Sequence, residues 1–132
     1  MGKIMWVYDK GISSFKIYQE MFPVITNALN ALVVCEEKNK NSSFAFLILD
    51  SKIKATDILS FIASGYNNYD TKLKVMEYNK ARNAISILQS NLILLNNYKI
   101  LLDEDLNENY TNLEDKLKMI SGVLRKIEKL KN

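Results

Sequence analysis

The sequence predicts an α+β fold, or a small α/β one: a short two-stranded β element with covering helices, followed by a long C-terminal helical hairpin. Three observations lead there. Two apolar, β-friendly runs, "IMWVY" and "FAFLILD", are separated by a segment with helical spacing. The second half repeats apolar residues at steps of three and four. With 132 residues and 48% hydrophobic content, the chain has the length and make-up of one globular domain. Residues 1–66 read as a β-α-β-α part and 71–131 as the hairpin.

Taken in order, Ile4 to Tyr8 is expected to be a strand ending at the turn signal Asp9-Lys10-Gly11. Ser13 or Ser14 can cap the helix that follows. Pro23, the only proline, should break or kink that helix, or open a second one as its first residue. Ile25, Ala28, Leu29 and Leu32 continue the helical spacing, and "EEKNKNSS" is a polar loop. "FAFLILD", residues 44–50, is continuous and bounded by polar residues, which suits a strand covered on both faces. A right-handed crossover would make it parallel to the first. Thr56 or Asp57 then caps a short helix, "ILSFIAS", and Gly65 with "YNNYD" forms a turn.

Thr71 to Leu102 reads as one long helix. Tyr78, Ala81, Ile85, Leu88, Leu92, Leu95 and Leu102 keep the rhythm, which Lys99 interrupts. A second apolar line, Ile87, Leu94 and Leu101, flanked by Ile93 and Ile100, implies burial on two sides. "NLILLNNYKILL" also fits two short strands turning at Asn96-Asn97, because Asn tolerates positive φ. The leucine content and the longer rhythm favour helix. After the acidic "DEDLNENY", Thr111 and Glu114 have capping-box spacing, so the last helix is expected to begin near residue 112. Its stripe of Leu113, Leu117, Ile120, Leu124 and Ile127 is widened by Val123 and Leu130. That width suits docking onto a domain better than a coiled-coil seam.

Composition narrows the function. The chain has no histidine, which removes Ser-His-Asp and Cys-His catalysis and histidine metal sites. Cys35 is the only cysteine, so no internal disulfide forms, as suits a reducing compartment. It lies on an apolar helical stretch and reads as a core residue. No apolar run is long enough to span a membrane, and the start lacks a signal-peptide core. A cytoplasmic protein is expected. High Asn, Lys and Ile usage fits an AT-rich genome such as that of a phage, virus or low-GC bacterium.

Several constellations bear on chemistry. Asp103, Glu104, Asp105 and Glu108 are acidic, but they lack the spacing and glycine of a calcium loop. Asp9 and Asp50 each follow an apolar run, where two carboxylates could hold Mg²⁺ or act as acid and base. No third ligand or phosphate loop accompanies them. "VYDKGISSF" resembles the Asp-Ser-Gly segment near the start of glutamate racemases over this stretch alone. Lys10 stands where that family has serine, and those enzymes use two cysteines where this chain has one. The resemblance assigns no role to these residues.

Most N-terminal aromatics read as core, whereas Tyr66, Tyr69 and Tyr78, near a polar turn, read as surface. With Val123 and Leu130 they form the expected protein interface. Lys118, Arg125, Lys126 and Lys129 lie opposite the last helix's stripe and could grip phosphates. The net charge of +3 permits an anionic partner without demanding one. The leading expectation is a small interaction or regulatory protein without catalytic activity or cofactor, binding another protein and forming a homodimer mainly through residues 71–130. Nucleic-acid binding by the basic face is the alternative, and a Mg²⁺-dependent enzyme built on Asp9 and Asp50 the third.

Overall fold

A computed structural model describes residues 15–40 and 43–131. Four helices follow one another: α1 (Lys16–Lys38), α2 (Ala45–Asn67), α3 (Thr71–Asn97) and α4 (Asp103–Lys131). Each packs on its sequence neighbour, and α1 packs on α4, closing an antiparallel ring. Among the described residues there is no strand. The fold is all-α, a four-helix bundle whose single core draws on every helix.

The α+β expectation is therefore corrected. "FAFLILD" is not a strand; it spans Phe44, the residue before α2, and that helix's first two turns. The apolar run continues past Asp50 with helical spacing: Leu47, Ile48, Ser51, Ala55, Ile58 and Ile62 are buried. Phe46, Leu49 and Ile53 point the other way and stay exposed. A strand would have split the run by alternation; a helix splits it by a period of 3.6. The β-α-β crossover falls with it. The expected strand Ile4–Tyr8, the Ser13 or Ser14 cap and Asp9 lie outside the described residues.

Boundaries differ elsewhere. α1 runs unbroken across Pro23, whose ring sits on an exposed position, so the expected break does not occur. Thr56, Asp57 and Gly65 are interior to α2 rather than a cap and a turn. Asp70 caps α3 instead, its carboxylate accepting from the Lys72 and Leu73 amides at 2.9 and 3.4 Å. The hairpin of 71–131 is present as α3 and α4, but α3 ends at Asn97 and α4 starts at Asp103, not near residue 112.

The α3–α4 turn explains the break at Lys99. Lys99 has φ of 61°, the left-handed region. Its amide donates to Asn96 O, and the Ile100 amide donates to Leu95 O, both at 2.9 Å. This paired pattern is a Schellman motif with lysine where glycine is usual. Asp103, Glu104 and Asp105 then occupy the first turn of α4, where the helix dipole favours anions. Asn96 Nδ2 joins the two helices, donating to Leu101 O at 3.0 Å and Asp103 Oδ1 at 2.7 Å.

The α2–α3 pair packs in a defined register. Asp50 stands opposite Asn91, Phe61 opposite Lys80, and Gly65 opposite Tyr78. Small residues let these helices approach: Ser51, Ala55 and Gly65 on α2, Ala81 and Ala84 on α3, all buried.

Candidate functional site

Several large apolar side chains of α2 and α3 are exposed. On α2, Phe46, Leu49 and Ile53 are 69%, 55% and 45% exposed. Their three-four spacing puts them on one helix face, opposite buried Ile48, Ser51 and Ala55. On α3, Ile87 and Leu94 are 42% and 43% exposed. The Asp50–Asn91 register brings Phe46 level with Leu94 and Ile53 level with Ile87. These five side chains share one two-helix face.

A polar clip sits in its middle. Asp50 Oδ2 accepts from Asn91 Nδ2 at 2.9 Å, and Oδ1 accepts from Lys54 Nζ at 3.0 Å. The hydrogen bond from Asn91, then that from Lys54, hold the Asp50 carboxyl below its ordinary value. Both oxygens are thus engaged, and the Asn91 bond ties α2 to α3. Beyond Ile87 the face opens into a groove of about 230 Å³ lined by Lys54, Asp57, Phe61, Lys80, Asn83, Ala84 and Ile87. Lys80 Nζ lies 5.8 Å from the Phe61 ring centre, a cation–π distance.

The predicted site residues are scattered. Tyr78 is 4% exposed and belongs to the core, a correction to its surface assignment. Its ring fills the space left by the missing Gly65 side chain, and burial, then Tyr66, pushes its hydroxyl up to about 12. Tyr66 is half-buried against Phe15, with ring centres 4.8 Å apart. Tyr69 is fully exposed in the α2–α3 turn. Val123 is half-buried against the core, while Leu130 is 87% exposed beside Thr71, Lys74 and Ile127. Lys118, Arg125, Lys126 and Lys129 are all exposed on α4, with Asp115 and Glu128 exposed on the same helix.

Other candidates for chemistry are spoken for. Cys35 is buried and donates its thiol to Ile100 O at 3.4 Å. Burial, then the Asp105 carboxylate, pushes that thiol up, away from the thiolate a nucleophile needs. Among the described residues no group of three or more Cys, Asp or Glu is placed to hold a metal ion. A larger groove of about 550 Å³ lies between α1 and α4, with Glu20, Asn27, Glu108, Asn112 and Lys116 in its lining. Glu20 Oε2 there is buried and has no hydrogen-bond partner. The groove is shallow, and its charges are of both signs.

Reading residues 44–50 as a buried strand hid Phe46, Leu49 and Ile53. The signal was present in the run's surplus: six of its seven residues are apolar, more than one helix face can bury. The second line on α3, Ile87 and Leu94, was legible, but its expected burial was not met; only Leu101, in the turn, is buried.

The chain matches no protein-family model and no curated protein. Among the described residues, no helix is long and apolar enough to cross a membrane.

Proposed function

We propose that the protein is an interaction module that binds another polypeptide through the α2–α3 face. One observation carries this reading: five large apolar side chains, 42–69% exposed, occupy one face of two tightly packed helices. Scattered exposed leucines are ordinary on soluble proteins, whereas grouped ones mark interaction sites. Polar groups border one end of the face, where Asp57 and Lys80 line the groove beyond Ile87, as polar rims border interfaces. The face stands on two helices with a fixed register, which suits recognition without refolding.

A photoreactive residue in place of exposed Ser90, which lies between Ile87 and Leu94 on α3, tests the reading. Irradiated in cells, it should yield protein adducts that a Phe46→Glu, Leu94→Glu double variant loses. The same probe at Lys126 should yield none. Equal labelling at both positions, or none at Ser90, would overturn the proposal. The exposed basic residues of α4 are accompanied by exposed Asp115 and Glu128, which lowers the positive charge a phosphate backbone would meet.

A further inference from the structure

We infer that the groove between α1 and α4, across the bundle from the α2–α3 face, binds a small zwitterion of the α-amino-acid class. The two helices run antiparallel there, with Cys35 bonded to Ile100 and Asn27 to Asn109. Seven residues back along α1 from Asn27 stands Glu20, and seven forward along α4 from Asn109 stands Lys116. Seven residues make about two helical turns, so Glu20 and Lys116 are level with each other, about 10 Å from the asparagine pair. Both line the groove of about 550 Å³. Their charges are opposite, yet among the described residues no ion pair joins them. Glu20 Oε2 is buried and has no hydrogen-bond partner. Among the described residues the Lys116 ammonium meets only the Met119 sulfur, at 3.7 Å.

A buried carboxylate oxygen without a donor is costly, so a group that supplies one is held there. An α-amino acid supplies both missing partners on one carbon, its ammonium for Glu20 and its carboxylate for Lys116. A ligand with one charge would satisfy one residue and face like charge on the other. The rest of the groove describes the side chain. Pro23 and Val24 line it with apolar surface, against which methylene groups can lie. Asn27 has spent its amide hydrogen on Asn109 and keeps its oxygen as an acceptor. Glu108 adds a second carboxylate to the lining. These acceptors match a long side chain that ends in donors, as those of arginine and lysine do. The volume falls within the roughly 300–1,000 Å³ of small-molecule sites. Because the groove is shallow and leaves one side of the ligand in water, binding is expected to be weak, in the millimolar range.

Titration of the isotope-labelled full chain with L-arginine, followed by amide chemical shifts, tests the inference. Saturable shifts should centre on Glu20, Asn27, Glu108 and Lys116. Agmatine, which lacks the carboxylate, and N-acetyl-arginine, which lacks the ammonium, should each bind at least ~10-fold more weakly, since each loses a charge-assisted contact. L-glutamate should also bind more weakly than L-arginine. Glu20→Gln and Lys116→Met should each weaken L-arginine to a similar degree, and Lys116→Met should not weaken agmatine. Circular dichroism checks that the variants keep their helices. The analogues are read on wild type, so the test stands even where a variant unfolds. No saturable shift at tens of millimolar L-arginine, shifts centred elsewhere, or agmatine binding as tightly as L-arginine would overturn the inference. So would a coupled loss of stability in Glu20→Gln and Lys116→Met without any response to L-arginine, the mark of two residues that only pair with each other.

Discussion

Gly65 sets how closely α2 and α3 approach. A methyl group there would sit 2.6 Å from Tyr78 Cδ1 and closer still to Cε1, on a buried ring with little room to move. Gly65→Ala should therefore destabilise by about 1–3 kcal/mol, the usual cost of overpacking, despite alanine's better helix propensity. Urea melts would show it. Tyr78 also makes stability depend on alkaline pH. Its hydroxyl ionises at about 12 when folded against an ordinary 10.0. Between those values the unfolded chain has released a proton that the folded chain still holds. The stabilisation is full below pH 10 and is lost as pH rises through about 12, by on the order of 2 kcal/mol. Lys74 works the other way, since burial lowers its ammonium while it donates to Gly65 O and Tyr66 O at 2.6 and 3.1 Å. Melts of Tyr78→Phe across the same range isolate the tyrosine: the variant should lose less stability than wild type. At Lys99 the strain is in the backbone. Lys99→Gly removes the side-chain cost of the left-handed conformation and should stabilise by about 1 kcal/mol, seen as a raised urea midpoint.

At the scale of the helices, the second half of the chain was largely legible and the first half was not. The α3 rhythm from Tyr78 to Leu95 names core residues correctly, because each lies on one face of a continuous helix. Leu88→Ala and Leu95→Ala, both fully buried, should each cost roughly 2–5 kcal/mol in denaturant melts. Leu117 is only half-buried, so its truncation should cost less. What hid the start of α4 was Thr111 with Glu114, a capping-box spacing that lies inside the helix. There Glu114 instead accepts from Gln89 at 3.0 Å, tying α4 to α3. The real start signal was the acidic run Asp103–Asp105, which reads equally as loop or first turn. Asp70 closes the stretch "YNNYD", which reads as a turn, so its capping role does not stand out in the sequence. Asp70→Ala removes two bonds to the first turn of α3 and should cost about 1 kcal/mol. The docking face was hidden for a related reason. Seven residues, 44–50, are too few to separate a strand from two turns of helix, and the deciding positions, Ala55, Ile58 and Ile62, come after the window.

At the scale of the whole molecule, the described residues form a ring of four helices in which three of the four packed pairs are neighbours in sequence. α1 and α4 close the ring, with Asn27 Nδ2 donating to Asn109 Oδ1 at 3.1 Å across 82 residues of chain. Asn109 is buried and also donates to Asp105 O at 2.7 Å, so this seam is polar and specific. The order of these contacts has a kinetic meaning. Hairpins of adjacent helices form with little loop-closure cost, whereas the α1–α4 seam must bring distant segments together. The chain should refold in milliseconds or faster, as local helical topologies do. The steps should also be separable by stopped-flow. Ile58→Val and Leu88→Ala, on the α2 and α3 core faces, should slow refolding. Asn27→Ala should leave refolding nearly untouched and accelerate unfolding. The ring's last seam to close would then be its first to open, and the lifetime of the native state would be set where the two distant asparagines meet.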